Sequence, residues 1–380
     1  MKINKLSVKK LSIKRMLLYP VLLLLSCSGG KLAKDVGQPV AITCARGFTI
    51  HETDDYTLLN VINPWDTTSI LHTYVLIDRE KPRPENLPEG DVVKIPVSHI
   101  ACLSSVDASM IEMLGDIDKV KAMAETSYVK MPTLRKALDE GRIADIGEYA
   151  SLNIEKLMDV SPEIIIVSPY QNMGYGKLET TGITIVENAG YMENTPLGRA
   201  EWIRFVAAFL KKSREAEALM AGIAERYQSL LARLDGVENR PTVFSEKKYG
   251  QVWHVPGGNS YMAHFFRDAG ADYLWKDNTH TGSLSLDFET VYDKAEEADF
   301  WIIKSDNDLT YQQLKSEYAP YAHFKAWKNR KIIFSNTTRN NYYEEGVMNP
   351  DWVLQDLIYF FHPEVVWTDF KPRYFEWMQY

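Results

Sequence analysis

Between residues 39 and 96 the apolar positions fall in short runs with turn residues at both ends. Residues 40–44, 56–62 and 72–77 are rich in β-branched and aromatic side chains, which predicts strands. Residues 79–90 hold three prolines and read as a connector. From about 97 onward the pattern changes: an apolar strand at 100–104 runs into a helix-like 107–114, and 163–167 and 182–186 are further strands. The same pattern returns at 242–245, 299–303 and 331–335. Strands that alternate with helical stretches predict α/β layers with a largely parallel sheet. Between the two α/β stretches, Trp202, Phe205, Phe209, Ile223, Tyr227, Leu230 and Leu234 keep helical spacing in a segment without proline. One helix over 197–235 would span about 55 Å and bridge two lobes stiffly. The expected order is therefore a β-rich extension at 39–96, an N-terminal lobe at 97–196, the bridging helix and a C-terminal lobe at 236–380.

The first 26 residues carry Lys2, Lys5, Lys9, Lys10, Lys14 and Arg15 and no acid, followed by an apolar run at 16–25. Ten such residues are too few for a bilayer span of about 20 but suit the apolar region of an export signal. The run ends in Leu24-Leu-Ser-Cys27, which resembles the lipobox of bacterial lipoproteins. The resemblance implies cleavage before Cys27, acylation of that thiol, and a chain anchored on the periplasmic or extracytoplasmic face of a bacterial cell envelope. Two or three acyl chains exceed what stable anchoring needs, and residues 27–38 would serve as a flexible tether.

Removal of residues 1–26 takes the formal charge from −8 to −14, the wrong sign for a nucleic-acid partner. No C-x-x-C pair suggests structural zinc, and Cys44 and Cys102 are expected as two buried thiols rather than a disulfide.

An internal match carries the most information. Ser151-Leu-Asn-Ile-Glu-Lys-Leu-Met-Asp159 reads against Ser285-Leu-Asp-Phe-Glu-Thr-Val-Tyr-Asp293, and each precedes an apolar strand. Asn153 and Asp287 are natural N-caps, which puts Glu155 and Glu289 in the first turn, facing the positive end of the helix dipole. Helix stabilisation accounts for either glutamate alone. The same residue at the same place on two lobes suits a partner that presents two like basic patches.

The chain resembles the substrate-binding proteins of ABC importers for ferric siderophores, haem and cobalamin. The resemblance rests on Ile100-Ala-Cys-Leu-Ser-Ser-Val-Asp-Ala-Ser, on Ile146-Gly-Glu-Tyr-Ala-Ser-Leu-Asn-Ile-Glu, on Gly257-Gly-Asn-Ser-Tyr-Met-Ala-His, on 285–293 and on Asn349-Pro-Asp-Trp-Val-Leu-Gln-Asp. It covers about 97–366, and it implies two α/β lobes joined by one long helix, with no resident cofactor and no catalysis. By position it carries permease docking onto Glu155 and Glu289. The partners it implies are a metal chelate and a permease dimer with its ATPase, served by a monomeric receptor.

Family ligands sit between the lobes, against loops at the C-terminal ends of strands. Along this chain those loops hold Ser105, Tyr128, Tyr149, Tyr170, Tyr175, Tyr249, Trp253, His254, Arg339 and Tyr342 as candidates. Flat, partly apolar chelates suit aromatic walls, whereas an anionic chelate would call on Arg339 or Lys248. His254 is the candidate axial ligand for haem or cobalt. A bare zinc or manganese receptor would need converging His and carboxylate ligands, and the histidines show no paired spacing. A glycan-binding or glycan-cleaving surface lipoprotein is the alternative from another class. No nucleophile elbow, P-loop or dinucleotide fingerprint is present in the sequence.

Overall fold

The computed structural model describes residues 37–366 and 369–380; the signal at 1–26 and Cys27 lie outside the described residues. The chain first forms one sheet in chain order from β1 (Gln38–Pro39), β2 (Phe48–Glu52), β3 (Tyr56–Ile62), β4 (Ile70–Asp78) and β5 (Asp91–Ile95). Neighbours are antiparallel except β4 and β5, which run parallel. β1 begins at Gln38, the last residue expected in the tether. The strand expected at 40–44 does not form. There the backbone curls around two buried carboxylates instead: Thr43, Cys44 and Ala45 donate N–H bonds to Glu201, and Arg46 and Gly47 donate to Glu193 Oε1 at 2.7 and 2.8 Å.

The N-terminal lobe follows as β6 (Ile100–Cys102), α1 (Ser105–Met113), β7 (Val120–Met123), α2 (Pro132–Asp139) and β8 (Ala144–Asp145). It continues with a hairpin of β9 (Gly147–Glu148) and β10 (Ser151–Leu152), then α3 (Ile154–Val160), β11 (Ile164–Val167) and β12 (Thr184–Glu187). Its five-stranded sheet has the order β12-β11-β6-β7-β8, all parallel. After α4 (Pro196–Ala200), α5 (Ile203–Leu210) and α6 (Ser213–Ala232) comes the second lobe. It comprises β13 (Thr242–Ser245), β14 (Lys248–Tyr249), β15 (Val252–Pro256), α7 (Tyr261–Asp268), β16 (Asp272–Tyr273), β17 (Ser283–Leu286), α8 (Phe288–Ala295) and β18 (Phe300–Ser305). Then follow α9 (Tyr311–Glu317), α10 (Lys325–Lys328), β19 (Ile332–Asn336), α11 (Pro350–Phe361) and β20 (Glu376–Trp377).

The second large sheet has the order β16-β13-β18-β19-β20. Its β16-β13-β18-β19 stretch repeats β7-β6-β11-β12, strand for strand and with the same crossovers. The large sheets are duplicates that differ in the fifth strand, β8 on one edge and antiparallel β20 on the opposite edge, and the β9-β10 hairpin of the first lobe is matched by a three-stranded β14-β15-β17 sheet in the second.

The bridge differs from the single helix expected over 197–235. It breaks after Leu210, where Lys211 takes a left-handed φ of 60° and the N–H groups of Lys211 and Lys212 bond to Ala208 and Ala207 carbonyls. Apolar spacing runs straight through the break, and no glycine marks it. A lysine in this conformation costs roughly 1–2 kcal/mol, offset here by anchoring side chains. Lys211 Nζ reaches Asp78 at 2.7 Å, and Lys212 Nζ reaches the Leu114 carbonyl at 2.6 Å. The 20 residues of α6 span about 30 Å.

α5 is buried on every side, from Ile203 through Phe205–Leu210. A helix apolar all round must be covered all round: α1 packs on one side and the extension sheet on the other. Phe48 meets Trp202 with ring centroids 4.9 Å apart, and Tyr74 meets Phe209 at 5.5 Å. The extension and this face of the N-terminal lobe thus share one core. Leu103, Leu157, Ile165 and Val167 fill the other face, and the C-terminal lobe packs around Phe244, Trp253, Trp301 and Phe324.

Candidate functional site

A cavity of about 710 Å³ lies where the C-terminal ends of strands from both lobes face each other. Ser105 after β6 and Ser127, Tyr128 and Lys130 after β7 form the N-terminal side. Residues 246–249 after β13, Lys304, Ser305 and Asp306 at the end of β18, and the loop after β19 form the other. This is the crevice that open α/β sheets offer to ligands. A second space of about 430 Å³ shares Glu246, Lys247, Lys304 and Tyr343 with it, so the cleft continues toward His254 and Tyr261.

Of the candidates, Ser105, Tyr128 and Tyr249 line the main cavity, with Tyr128 and Tyr249 69% and 85% exposed. Tyr149 and Tyr175 instead wall a separate space of about 560 Å³ within the N-terminal lobe, together with Leu152, Ile154 and Met173. Tyr170 stands edge-on to Tyr149 at 5.8 Å. Trp253 does not reach the cleft. It is fully buried, and its indole N–H donates to the Ser245 carbonyl at 3.0 Å. Strand alternation on β15 sends Trp253 and Val255 inward and His254 outward; His254 lines the extended cleft with Nδ1 3.3 Å from Ser285 Oγ.

Tyr342 is likewise buried, its hydroxyl donating to Met262 Sδ at 3.1 Å, while its neighbour Tyr343 is exposed and lines the cleft. Arg339 lies outside the cavity wall, tied to Asp308 Oδ1 at 3.1 Å and to Glu376. Cys44 and Cys102 are free thiols, Cys102 buried and Cys44 half-buried.

Composition alone did not single out the cleft's lysines. Lys130, Lys247 and Lys304 join Lys248 in the main cavity. A signal was present: Glu246-Lys-Lys-Tyr249 directly follows one apolar strand, and Lys304-Ser-Asp306 ends another. Lys304 pairs with Glu246. Burial works against its ammonium, but the Glu246 carboxylate more than compensates and holds the Lys304 pKa above its ordinary value. Lys247 pairs with Glu317 at 2.6 Å. Glu344 turns its carboxylate into the N-terminal lobe, where Oε2 accepts the Lys130 and Met131 N–H groups at 2.8 and 3.0 Å. Burial raises its pKa.

The two glutamates of the repeat are exposed, each in the first turn of its helix. Asn153 caps α3 by accepting from Lys156 N at 3.0 Å, and Asp287 caps α8 by accepting from Thr290 N at 2.7 Å. The caps supply the helix-end hydrogen bonds, and neither glutamate carboxylate has an ion-pair or side-chain hydrogen-bond partner among the described residues.

Residues 100–336 match the family model described as periplasmic binding protein. The chain belongs to the periplasmic binding protein family. A protein described as an uncharacterized lipoprotein of Methanocaldococcus jannaschii is 30% identical over 336 residues, covering 80% of this chain and 78% of that one. Among solved structures, a possible iron-binding periplasmic solute-binding protein from Staphylococcus epidermidis aligns with a TM-score of 0.56 at 16% identity, over 70% of this chain and 99% of its own. A periplasmic heme binding protein from Pseudomonas aeruginosa aligns with a TM-score of 0.56 at 18% identity, over 70% and 94%. This periplasmic binding protein shares their two-lobed fold. Its family and its lipoprotein-named relatives suggest work outside the cytoplasm. No helix among the described residues is long and apolar enough to cross a membrane.

Proposed function

We propose that the protein is a lipid-anchored extracytoplasmic receptor that captures a metal chelate between its lobes and hands it, chemically unchanged, to an ABC permease dimer with its ATPase. The observation that carries this reading is the pairing of one cavity walled by both lobes with two exposed glutamates at matching positions of a duplicated motif. The lobes hold the chelate through groups at their strand ends. Glu155 and Glu289 then present two like charges to two like basic patches, the complement of a two-fold symmetric permease. Cys27 supplies the anchor, which keeps the receptor near the permease and raises its effective concentration there.

The test separates capture from delivery. A Glu155→Ala, Glu289→Ala double variant is expected to bind its chelate within about twofold of the parent and to lose uptake by about tenfold or more in cells. Unchanged uptake would remove the docking role.

A further inference from the structure

We infer that the main cleft is built for an anionic, oxygen-rich metal chelate, held by Lys130 and Lys248, and not for a macrocycle with apolar faces. The inference rests on the receptor reading and narrows it.

The wall chemistry comes first. Among the described residues that line the 710 Å³ cavity there is no Leu, Ile, Val, Met, Phe or Trp. Its neutral surface consists of serine, threonine and asparagine side chains and the rings of Tyr128, Tyr249 and Tyr343. A porphyrin or corrin face pressed on such a wall would meet the three tyrosine rings, but it would also strip water from hydroxyls and amides without returning hydrogen bonds, at about 1–3 kcal/mol for each group. Charged oxygens on the rim of a chelate would accept those bonds instead. The apolar wall a flat macrocycle needs exists elsewhere: Leu103, Leu152, Ile154 and Leu178 line the Tyr149 cavity, which touches one lobe only.

The charges point the same way. Lys304 is neutralised by Glu246, and Lys247 by Glu317. Lys130 and Lys248 have no carboxylate in ion-pair contact among the described residues: Lys130 Nζ donates to the Ser127 carbonyl at 3.4 Å, and Lys248 Nζ lies 3.9 Å from the Tyr318 ring centroid. Of the remaining acids, Glu344 turns Oε2 to backbone N–H groups and its charge is felt by Lys130, and Asp306 keeps its carboxylate on the wall, so four lysines face three acids around the cavity. These two ammonium groups without an ion pair among the described residues come from opposite lobes, so an anionic ligand between them also joins the lobes. Charge-assisted bonds to such oxygens are roughly twice as strong as neutral ones.

The experiment titrates the purified full chain, by intrinsic fluorescence, with ferric citrate, ferric tris(2,3-dihydroxybenzoate), ferrichrome, haemin and cyanocobalamin. At least one of the two anionic ferric complexes is expected to bind at least about tenfold tighter than ferrichrome, haemin and cyanocobalamin. Its affinity should fall severalfold between about 0.05 and 0.5 M NaCl, as screening shortens the reach of the lysines. A Lys130→Gln, Lys248→Gln double variant should lose about tenfold in affinity for that complex, with Lys328→Gln as the unaffected control. Tighter binding of ferrichrome, haemin or cyanocobalamin, or full affinity in the double lysine variant, would overturn the assignment to an anionic, oxygen-rich chelate held by these lysines and leave the receptor reading standing. Binding of none of the five would remove the receptor reading itself.

Discussion

Asp107 on α1 is buried with a single side-chain partner among the described residues, the Asn188 amide, which donates to Oδ1 at 2.5 Å. Burial pushes its pKa up to about 7, with the Asn188 bond pulling the other way. A carboxyl whose folded pKa is raised binds its proton more tightly in the folded chain. Its contribution therefore weakens stability as pH rises from the ordinary aspartate value toward about 7 and stays unfavourable above. Each tenfold in proton affinity is worth about 1.4 kcal/mol. Asp107→Asn keeps the shape and removes the charge, so it is expected to stabilise the protein by about 2–4 kcal/mol at pH 8 and to have little effect at pH 4, in urea unfolding at both pH values. Equal effects at both would show that Asp107 is charged throughout. The residues singled out from sequence show where such reading stops. Trp253 beside His254 and Tyr342 beside Tyr343 each had the right neighbourhood, and strand or loop direction decided which of the pair met solvent. Arg339 was legible as a cation, but its two carboxylate partners lie 31 and 37 positions away and could not be seen.

Among the elements, the runs at 56–62 and 242–245 form strands with the expected bounds, and both N-caps of the repeat act as caps. Elements fixed by distant partners were illegible. The bend at 40–47 exists because Glu193 and Glu201 gather its N–H groups from about 150 residues away. The end of α5 is set by Lys211 and Lys212 reaching Asp78 and Leu114. What could have been read is the all-round apolar surface of α5, which demands a cover on its second side. The extension is that cover. It also reaches the Tyr149 cavity: His72 on β4 lies 3.3 Å from Glu187, whose other oxygen accepts from Tyr175 at 2.6 Å. Phe48→Ala should therefore destabilise the whole N-terminal lobe by about 3–5 kcal/mol, with probes in the extension and in the lobe unfolding together in denaturant. Separate transitions would make the extension an independent module.

The lobes are tied by more than α6. The loop after β19 crosses to the N-terminal lobe, where Met348 is buried in that lobe's core, Glu344 accepts from Lys130 and Met131, and Ser109 Oγ donates to the Glu344 carbonyl at 3.3 Å. Arg199 adds a third tie, donating to the Tyr191 carbonyl at 2.6 Å while its guanidinium lies 3.9 Å from the Tyr261 ring centroid. The stiffness expected from one long helix would then come from a shorter helix, a crossing loop and a bridging arginine. Extended hinge strands would allow wide closure, whereas this arrangement is expected to allow only a small opening. Nitroxide labels at Lys156 and Thr290, beside the two exposed glutamates and in a Cys44→Ser background, should keep a mean separation within about 5 Å with and without chelate. Glu344→Ala with Met348→Ala removes one tie, so the distance distribution should broaden while α6 still joins the lobes. On the docking role proposed for Glu155 and Glu289, a nearly fixed spacing would let the protein dock loaded or empty, and the permease would then have to sense the ligand through the cleft. A large change of separation on loading the parent protein would reverse that conclusion and make the spacing itself the signal.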